Sequence, residues 1–133
     1  RYAPCSPTGP ARGVGAARES HIVEGGMKEM RSRGDVDAAL GEDTAILFKH
    51  STRCPISAAA RAEMQRFMEL NPDEPVYCVD VNDSAEASRY LAEKTGIEHH
   101  SPQVIVTRGG QPEWHASHFD IKADEVGRRA GRA

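Results

Sequence analysis

One stretch, residues 45–71, places the strongest limits on how this chain can fold. It reads AILFKHSTRCPISAAARAEMQRFMELN, an apolar run that ends in polar residues and gives way to a helical pattern. The run Ala45–Phe48 predicts a buried strand. The helix that follows has one apolar face, formed at spacings of four, four and three by Ile56, Ala60, Met64 and Phe67. The stretch therefore predicts a strand–turn–helix unit.

Cys54 lies at the turn of this unit, immediately before Pro55. Proline suits the first position of a helix because the N–H that it lacks would have no partner there. Cys54 is therefore predicted at or beside the N-cap, where free N–H groups and the helix dipole favour an anion. Cysteines in such places, or near cations, form thiolates readily, and Lys49 and Arg53 are close in sequence. The pattern predicts a reactive cysteine.

The composition excludes several classes of protein. The 133 residues suffice for one domain with a hydrophobic core. The sequence contains no apolar run of about 18 residues, so it predicts no transmembrane helix. It also shows no signal-peptide pattern. We therefore expect a cytoplasmic protein, and three widely spaced cysteines do not suggest a disulfide framework. A net charge of −3 gives no indication of nucleic-acid binding, and no ligand spacing typical of a metal site appears.

Residues 1–33 differ in composition from the rest of the chain. They are rich in proline, glycine, alanine and arginine and show no apolar periodicity. Such a segment buries too little apolar surface to offset the entropy lost on ordering. We therefore expect a disordered N-terminal extension over residues 1–33 and a folded domain over residues 34–133.

The remaining elements alternate between helix and strand patterns. The predicted series after residue 33 begins with a helix at 34–41, with Asp35 as its N-cap, followed by the strand at 45–49 and the helix after Cys54. A strand at 76–81 and a helix that ends at Gly96 come next. The chain then forms a hairpin over 103–119, which turns at Gly109-Gly110, and a short last helix. Strand–helix–strand is a right-handed parallel crossover, whereas the hairpin is antiparallel. The order predicts an α/β protein of the thioredoxin-like fold, with a four-stranded mixed sheet and helices on both faces. Cys78 in the second strand is expected to be a small buried core residue, with a resolving or regulatory thiol as the alternative.

The residues at the turn resemble a known family. Phe48-Lys49-His50-Ser51-Thr52-Arg53-Cys54-Pro55-Ile56-Ser57 is similar to the motif of the monothiol bacilliredoxins, thioredoxin-like proteins of the bacillithiol redox system. Serine stands where dithiol members have the second cysteine of Cys-x-x-Cys. Ser101-Pro102 matches the proline, usually cis, that faces the active site of thioredoxin-like proteins. The resemblance covers about residues 35–126.

The resemblance implies a thiol–disulfide oxidoreductase of cell redox homeostasis. Cys54 would attack the bacillithiol sulfur of an S-bacillithiolated protein and release that protein as a free thiol. Bacillithiol or a related small thiol would be the co-substrate, with no bound cofactor, no metal, no membrane or nucleic-acid partner, and a monomeric state. The residues expected to contact the substrate are Arg53, Pro55, Ile56, Ser57, Ser101 and Pro102.

Two features of this motif leave alternatives open. Ser57 cannot resolve a mixed disulfide because a hydroxyl does not perform thiol–disulfide exchange; it either donates a hydrogen bond to the thiolate or is an ordinary first-turn residue. His50 is near enough in sequence to act as the base of a Cys–His pair, although no residue is evidently placed to orient it.

Two other functions fit the same fold. A monothiol-glutaredoxin-like iron–sulfur carrier would bind a cluster through Cys54 and an external thiol, and would absorb visible light when isolated. A non-enzymatic thioredoxin-fold interaction module would retain Cys54 only as a remnant, and its thiol would ionise like that of free cysteine.

Overall fold

The computed structural model describes residues 21–23, 26–51 and 54–131. The strands are β1 (His21–Val23), β2 (Met27–Glu29), β3 (Thr44–His50), β4 (Val76–Asp80), β5 (Gln103–Arg108) and β6 (Gln111–Ser117). The helices are α1 (Arg33–Leu40), α2 (Pro55–Leu70), α3 (Ala85–Thr95) and α4 (Ala123–Arg129), and a 3-10 turn spans His118–Asp120. From residue 33 onward, the predicted order of helices and strands is confirmed.

All the described strands form one mixed sheet in the order β1-β2-β4-β3-β5-β6. The strands β3 and β4 are parallel, whereas β5 pairs antiparallel with both β3 and β6. Gly109 and Gly110 join β5 to β6, and both have positive φ angles, as a tight hairpin turn requires. The predicted four strands are present, but the sheet has six because β1 and β2 extend its edge beyond β4.

The N-terminal boundary of the folded domain differs from the prediction. Residues 27–33 belong to the domain: β2 pairs with β4, and the side chains of Met27 and Met30 are completely buried. Isolated methionines among charged residues give no periodicity, so the sequence did not reveal this strand. The N-cap of α1 is Ser32, whose Oγ accepts the N–H of Asp35 at 3.2 Å, so the assignment of Asp35 was wrong. Residues 1–20 and 24–25 lie outside the described residues.

The sheet separates two apolar cores because side chains alternate along each strand. One face packs against α2 and α4, and its core includes Ile46, Phe48, Met64, Phe67, Cys78 and Val126. The other face packs against α1 and α3, and its core includes Val36, Leu47, Tyr77, Val79, Leu91 and Ile105. Cys78 is fully buried in the first core, as predicted. None of the helices in the described part of the chain could cross a membrane.

Candidate active site

Four segments of the chain meet at one end of the sheet. The parallel strands β3 and β4 both end there, with His50 opposite Asp80. The antiparallel strand β5 begins there, with Gln103 opposite both Lys49 of β3 and Ser117 of β6. The described residues that follow or precede these strand ends are therefore neighbours, and they comprise Ser51, Cys54 and residues 81–84, 98–102 and 118–120.

Cys54 is the N-cap residue of α2, as predicted. Its backbone is extended (φ −112°, ψ 124°), and its carbonyl accepts the N–H groups of Ser57 at 3.1 Å and Ala58 at 3.3 Å. Pro55 occupies the first helical position and is exposed, and Cys54 itself is half-buried. A half-buried cysteine at the positive end of a 16-residue helix is well placed to act as a nucleophile.

Hydrogen bonds fix the turn that carries this cysteine. The buried Ser57 Oγ accepts the N–H of Ser51 at 3.1 Å, which ties the first turn of α2 to the end of β3. The Ser51 hydroxyl donates to Asn82 Oδ1 at 2.6 Å. Asp80 Oδ1 in turn accepts the N–H groups of Asn82 at 2.8 Å and Asp83 at 3.1 Å. This network was not predicted from the sequence, although Asp and Asn directly after a strand are typical of such side-chain-to-backbone turns.

The Ser57 hydroxyl therefore has a structural contact of its own. A serine hydroxyl that accepts one hydrogen bond still has its hydrogen to donate. The contact with Ser51 thus supports a role in holding the turn, and donation to the Cys54 thiolate stays a prediction. Ile56, in the same turn, is half-buried.

The segment before β5 has the expected proline. The Ser101–Pro102 peptide bond is cis, which confirms the geometry suggested by the resemblance. Pro102 is buried, and its carbonyl accepts the N–H of His118 at 3.0 Å. His118 has a positive φ of 56°, and its ring contacts that of His100 edge to face at 5.7 Å. Phe119, next in the chain, is 64% exposed, and no periodicity in the sequence singled it out.

Lys49 lies on the face of the sheet opposite α2. It is opposite Val79 and Gln103 in the sheet, on the face that packs against α1 and α3, whereas α2 and Cys54 lie on the other face. The position of Lys49 therefore gives no support to the expectation that it adds to the positive charge around Cys54. Its side chain is completely buried, and this burial lowers the pKa of Lys49 to about 8. Arg53, the other predicted cation, lies outside the described residues.

His50 lies on the face beneath α2 and is only 4% exposed. Its ring stacks on that of Phe48, with centroids 5.4 Å apart and an interplanar angle of 6°. This environment is that of a core side chain rather than of a base open to substrate. Within the described part of the chain, no three side chains of histidine, cysteine, aspartate or glutamate are grouped to hold a metal ion.

The fold and the site together define a class: a thiol redox protein of the thioredoxin fold. Solved structures agree with the fold. A candidate oxidoreductase with a thioredoxin fold superposes with a TM-score of 0.71 at 27% identity, covering 76% of this chain and 90% of its own. Mitochondrial thioredoxin 3 of Saccharomyces cerevisiae superposes with a TM-score of 0.63 at 11% identity, covering 80% and 95%. Fasciola hepatica thioredoxin superposes with a TM-score of 0.63 at 13% identity, covering 80% of this chain and 98% of its own.

The sequence profile of one family narrows this class further. The profile described as monothiol bacilliredoxin BrxC matches residues 28–126, which is most of the chain. The protein therefore belongs to the monothiol bacilliredoxin family. The match begins within β2, in agreement with the N-terminal boundary of the folded domain.

Proposed function

We propose that this protein removes bacillithiol from S-bacillithiolated proteins in the cytoplasm, as a monomeric enzyme without a bound cofactor. The observation that carries the proposal is the position of Cys54 at the N-cap of α2, with Ser57 in place of a second cysteine. A cysteine so placed can form a mixed disulfide, but its own motif has no thiol with which to resolve it.

The reaction is one thiol–disulfide exchange. The Cys54 thiolate attacks the bacillithiol sulfur of the mixed disulfide, and a bond forms between Cys54 and bacillithiol. The bond between bacillithiol and the protein cysteine breaks, and that cysteine leaves as a thiolate, which takes a proton from water. A second molecule of bacillithiol, or another small thiol, then attacks the adduct and restores Cys54, with a disulfide of the two small thiols as the product.

The surroundings of Cys54 support this scheme. Cys78 has no exposed surface and lies in the apolar core beneath α2, where it is poorly placed to resolve an adduct at Cys54. The cis-proline segment Ser101–Pro102 precedes β5 at the same end of the sheet as Cys54. In the proposed complex this segment, with Pro55, Ile56, Ser57 and Arg53, holds the mixed disulfide for attack.

The test presents a purified S-bacillithiolated protein, with bacillithiol in solution, to the wild type and to Cys54→Ser. We expect the wild type to release the protein thiol and Cys54→Ser to fall to the rate of bacillithiol alone, because serine forms no disulfide. Thiol release is measured with a chromogenic disulfide after removal of bacillithiol.

Cys78→Ser serves as the matched control, since it also removes a single sulfur from the described structure. It is expected to retain activity within about twofold of the wild type. If Cys78→Ser loses activity while folding normally, Cys78 is a resolving thiol and the single-cysteine scheme fails. If Cys54→Ser releases the thiol as fast as the wild type, the proposal itself is wrong.

A further inference from the structure

We propose that Lys49 is a positioning residue for the substrate-holding segment Ser101–Pro102, to which its buried ammonium supplies hydrogen-bond donors. The inference rests on the proposed function, because it assigns a role in holding the mixed-disulfide substrate. It does not require Lys49 to touch Cys54, from which the sheet separates it.

The first observation is that burying the ammonium group of Lys49 is unfavourable for the stability of the fold. Its side chain has no exposed surface, and its Nζ has no hydrogen-bond partner among the described protein atoms. Taking an ammonium out of water without an ion pair or hydrogen bonds is expensive, and it destabilises the charged form. A methionine would fill the same space without that cost. A buried cation that does not serve stability is a candidate for a functional role.

The second observation is that unpaired oxygen atoms are located at the same end of the sheet. Gln103 is the cross-strand partner of Lys49, so the two side chains share a face. Gln103 Nε2 donates to the Glu98 carbonyl at 3.0 Å, which fixes the amide, while its buried Oε1 has no hydrogen-bond partner among the described residues. The Oγ of Ser101, two residues earlier, is also buried and has no partner in the same part of the chain.

The third observation concerns the electrostatics of the loop that leads to Ser101. Burial, and after it the positive charges of Lys49 and His100, lowers the pKa of His99 in this loop. An ammonium has three donor hydrogens and no acceptor, whereas the unpaired atoms of Gln103 and Ser101 are both acceptors. Small side-chain adjustments or one buried water would join them, since an internal water commonly bridges such groups. Those bonds would hold Ser101, and with it the cis-proline that faces the substrate.

The test compares Lys49→Met with Thr107→Val. Thr107 is on the same face of β5, and its Oγ1 is likewise buried without a partner, but it is at the far end of the strand. For Lys49→Met we expect KM for an S-bacillithiolated protein to rise about tenfold, with kcat within about twofold of the wild type. Thr107→Val is expected to leave both constants unchanged.

Two further readouts separate positioning from general damage. The melting temperature of Lys49→Met should equal or exceed that of the wild type, because the desolvation cost of a buried charge is removed and can exceed what its hydrogen bonds contribute. Alkylation of Cys54 by iodoacetamide should proceed at the wild-type rate, because this small reagent does not need the Ser101–Pro102 segment. Ser101→Ala removes one of the two acceptors and is expected to raise KM by a smaller factor, about threefold.

The outcomes distinguish the inference from the function on which it rests. An unchanged KM in Lys49→Met, with active wild type, overturns the inference and leaves the proposed function intact. A joint fall in melting temperature, alkylation rate and activity also overturns it, because Lys49 is then only structural. If Lys49→Met does not fold, the KM of Ser101→Ala is used as the test instead. An unchanged KM in Ser101→Ala overturns the inference. An inactive wild type refutes the proposed function.

Discussion

Between pH 8 and pH 10.5 the wild-type protein is expected to gain about 3 kcal/mol of stability relative to Lys49→Met. In the unfolded chain Lys49 titrates near its ordinary pKa of 10.5, whereas burial lowers its pKa to about 8 in the folded protein. Below pH 8 both states bind the proton, and the folded state bears the full cost of a buried charge. Between the two values only the unfolded state keeps the proton, so the free energy of unfolding rises with pH.

Urea denaturation of both proteins at several pH values in this interval measures the effect. Tyr77 complicates the absolute curve, because burial and the nearby Glu42 carboxylate raise its pKa and thereby reduce stability above pH 10. Both proteins contain Tyr77, so the difference between them isolates Lys49. Parallel stability curves would show that the ammonium is not buried as described.

Phe67→Ala is expected to reduce the free energy of unfolding by about 3–5 kcal/mol. Phe67 is completely buried on the inner face of α2, in the core formed with β3, β4 and α4. The substitution removes an aromatic ring and leaves a cavity that the close-packed neighbours fill only in part. Since α2 also carries Cys54, we expect its packing to hold the active-site turn in place. Chemical denaturation measures the loss.

Leu70→Ala is the matched control for this prediction. Leu70 lies on the same helix, but 64% of its side chain is exposed. Its replacement is therefore expected to change the free energy of unfolding by less than about 0.5 kcal/mol. Equal losses in the two variants would mean that α2 does not pack against the sheet through the face described.

Much of the fold followed from local sequence patterns. The apolar run before Cys54, the proline after it and the spacing on α2 act over short distances, and they correctly predicted the strand, the N-cap and the helix. The glycine pair at 109–110 predicted the hairpin for the same reason, because positive φ angles are a local requirement. Gly96 ends α3 with a φ of 72°, as its position in the sequence suggested.

The N-cap of α1 and the face on which Lys49 lies were local errors. The other features that the sequence did not reveal arise from contacts between distant parts of the chain. Met27 is buried because β2 pairs with β4, about fifty residues later in the chain. No hydrophobic periodicity in the sequence around Met27 predicts that pairing. Lys49 follows the apolar run and was assigned to the neighbourhood of Cys54, but strand alternation turns it to the opposite face. His118 and Phe119 reach the active-site end only because β6 returns beside β5 and the His118 N–H binds the Pro102 carbonyl.

The most direct test of the central claim is the intact mass of the protein after reaction with an equimolar amount of an S-bacillithiolated protein, without added small thiol. We expect the target to become a free thiol while this protein gains the mass of one bacillithiol, located on Cys54 by peptide mapping. An unchanged protein, or one that loses two hydrogens through a disulfide between Cys54 and Cys78, would contradict the single-cysteine mechanism.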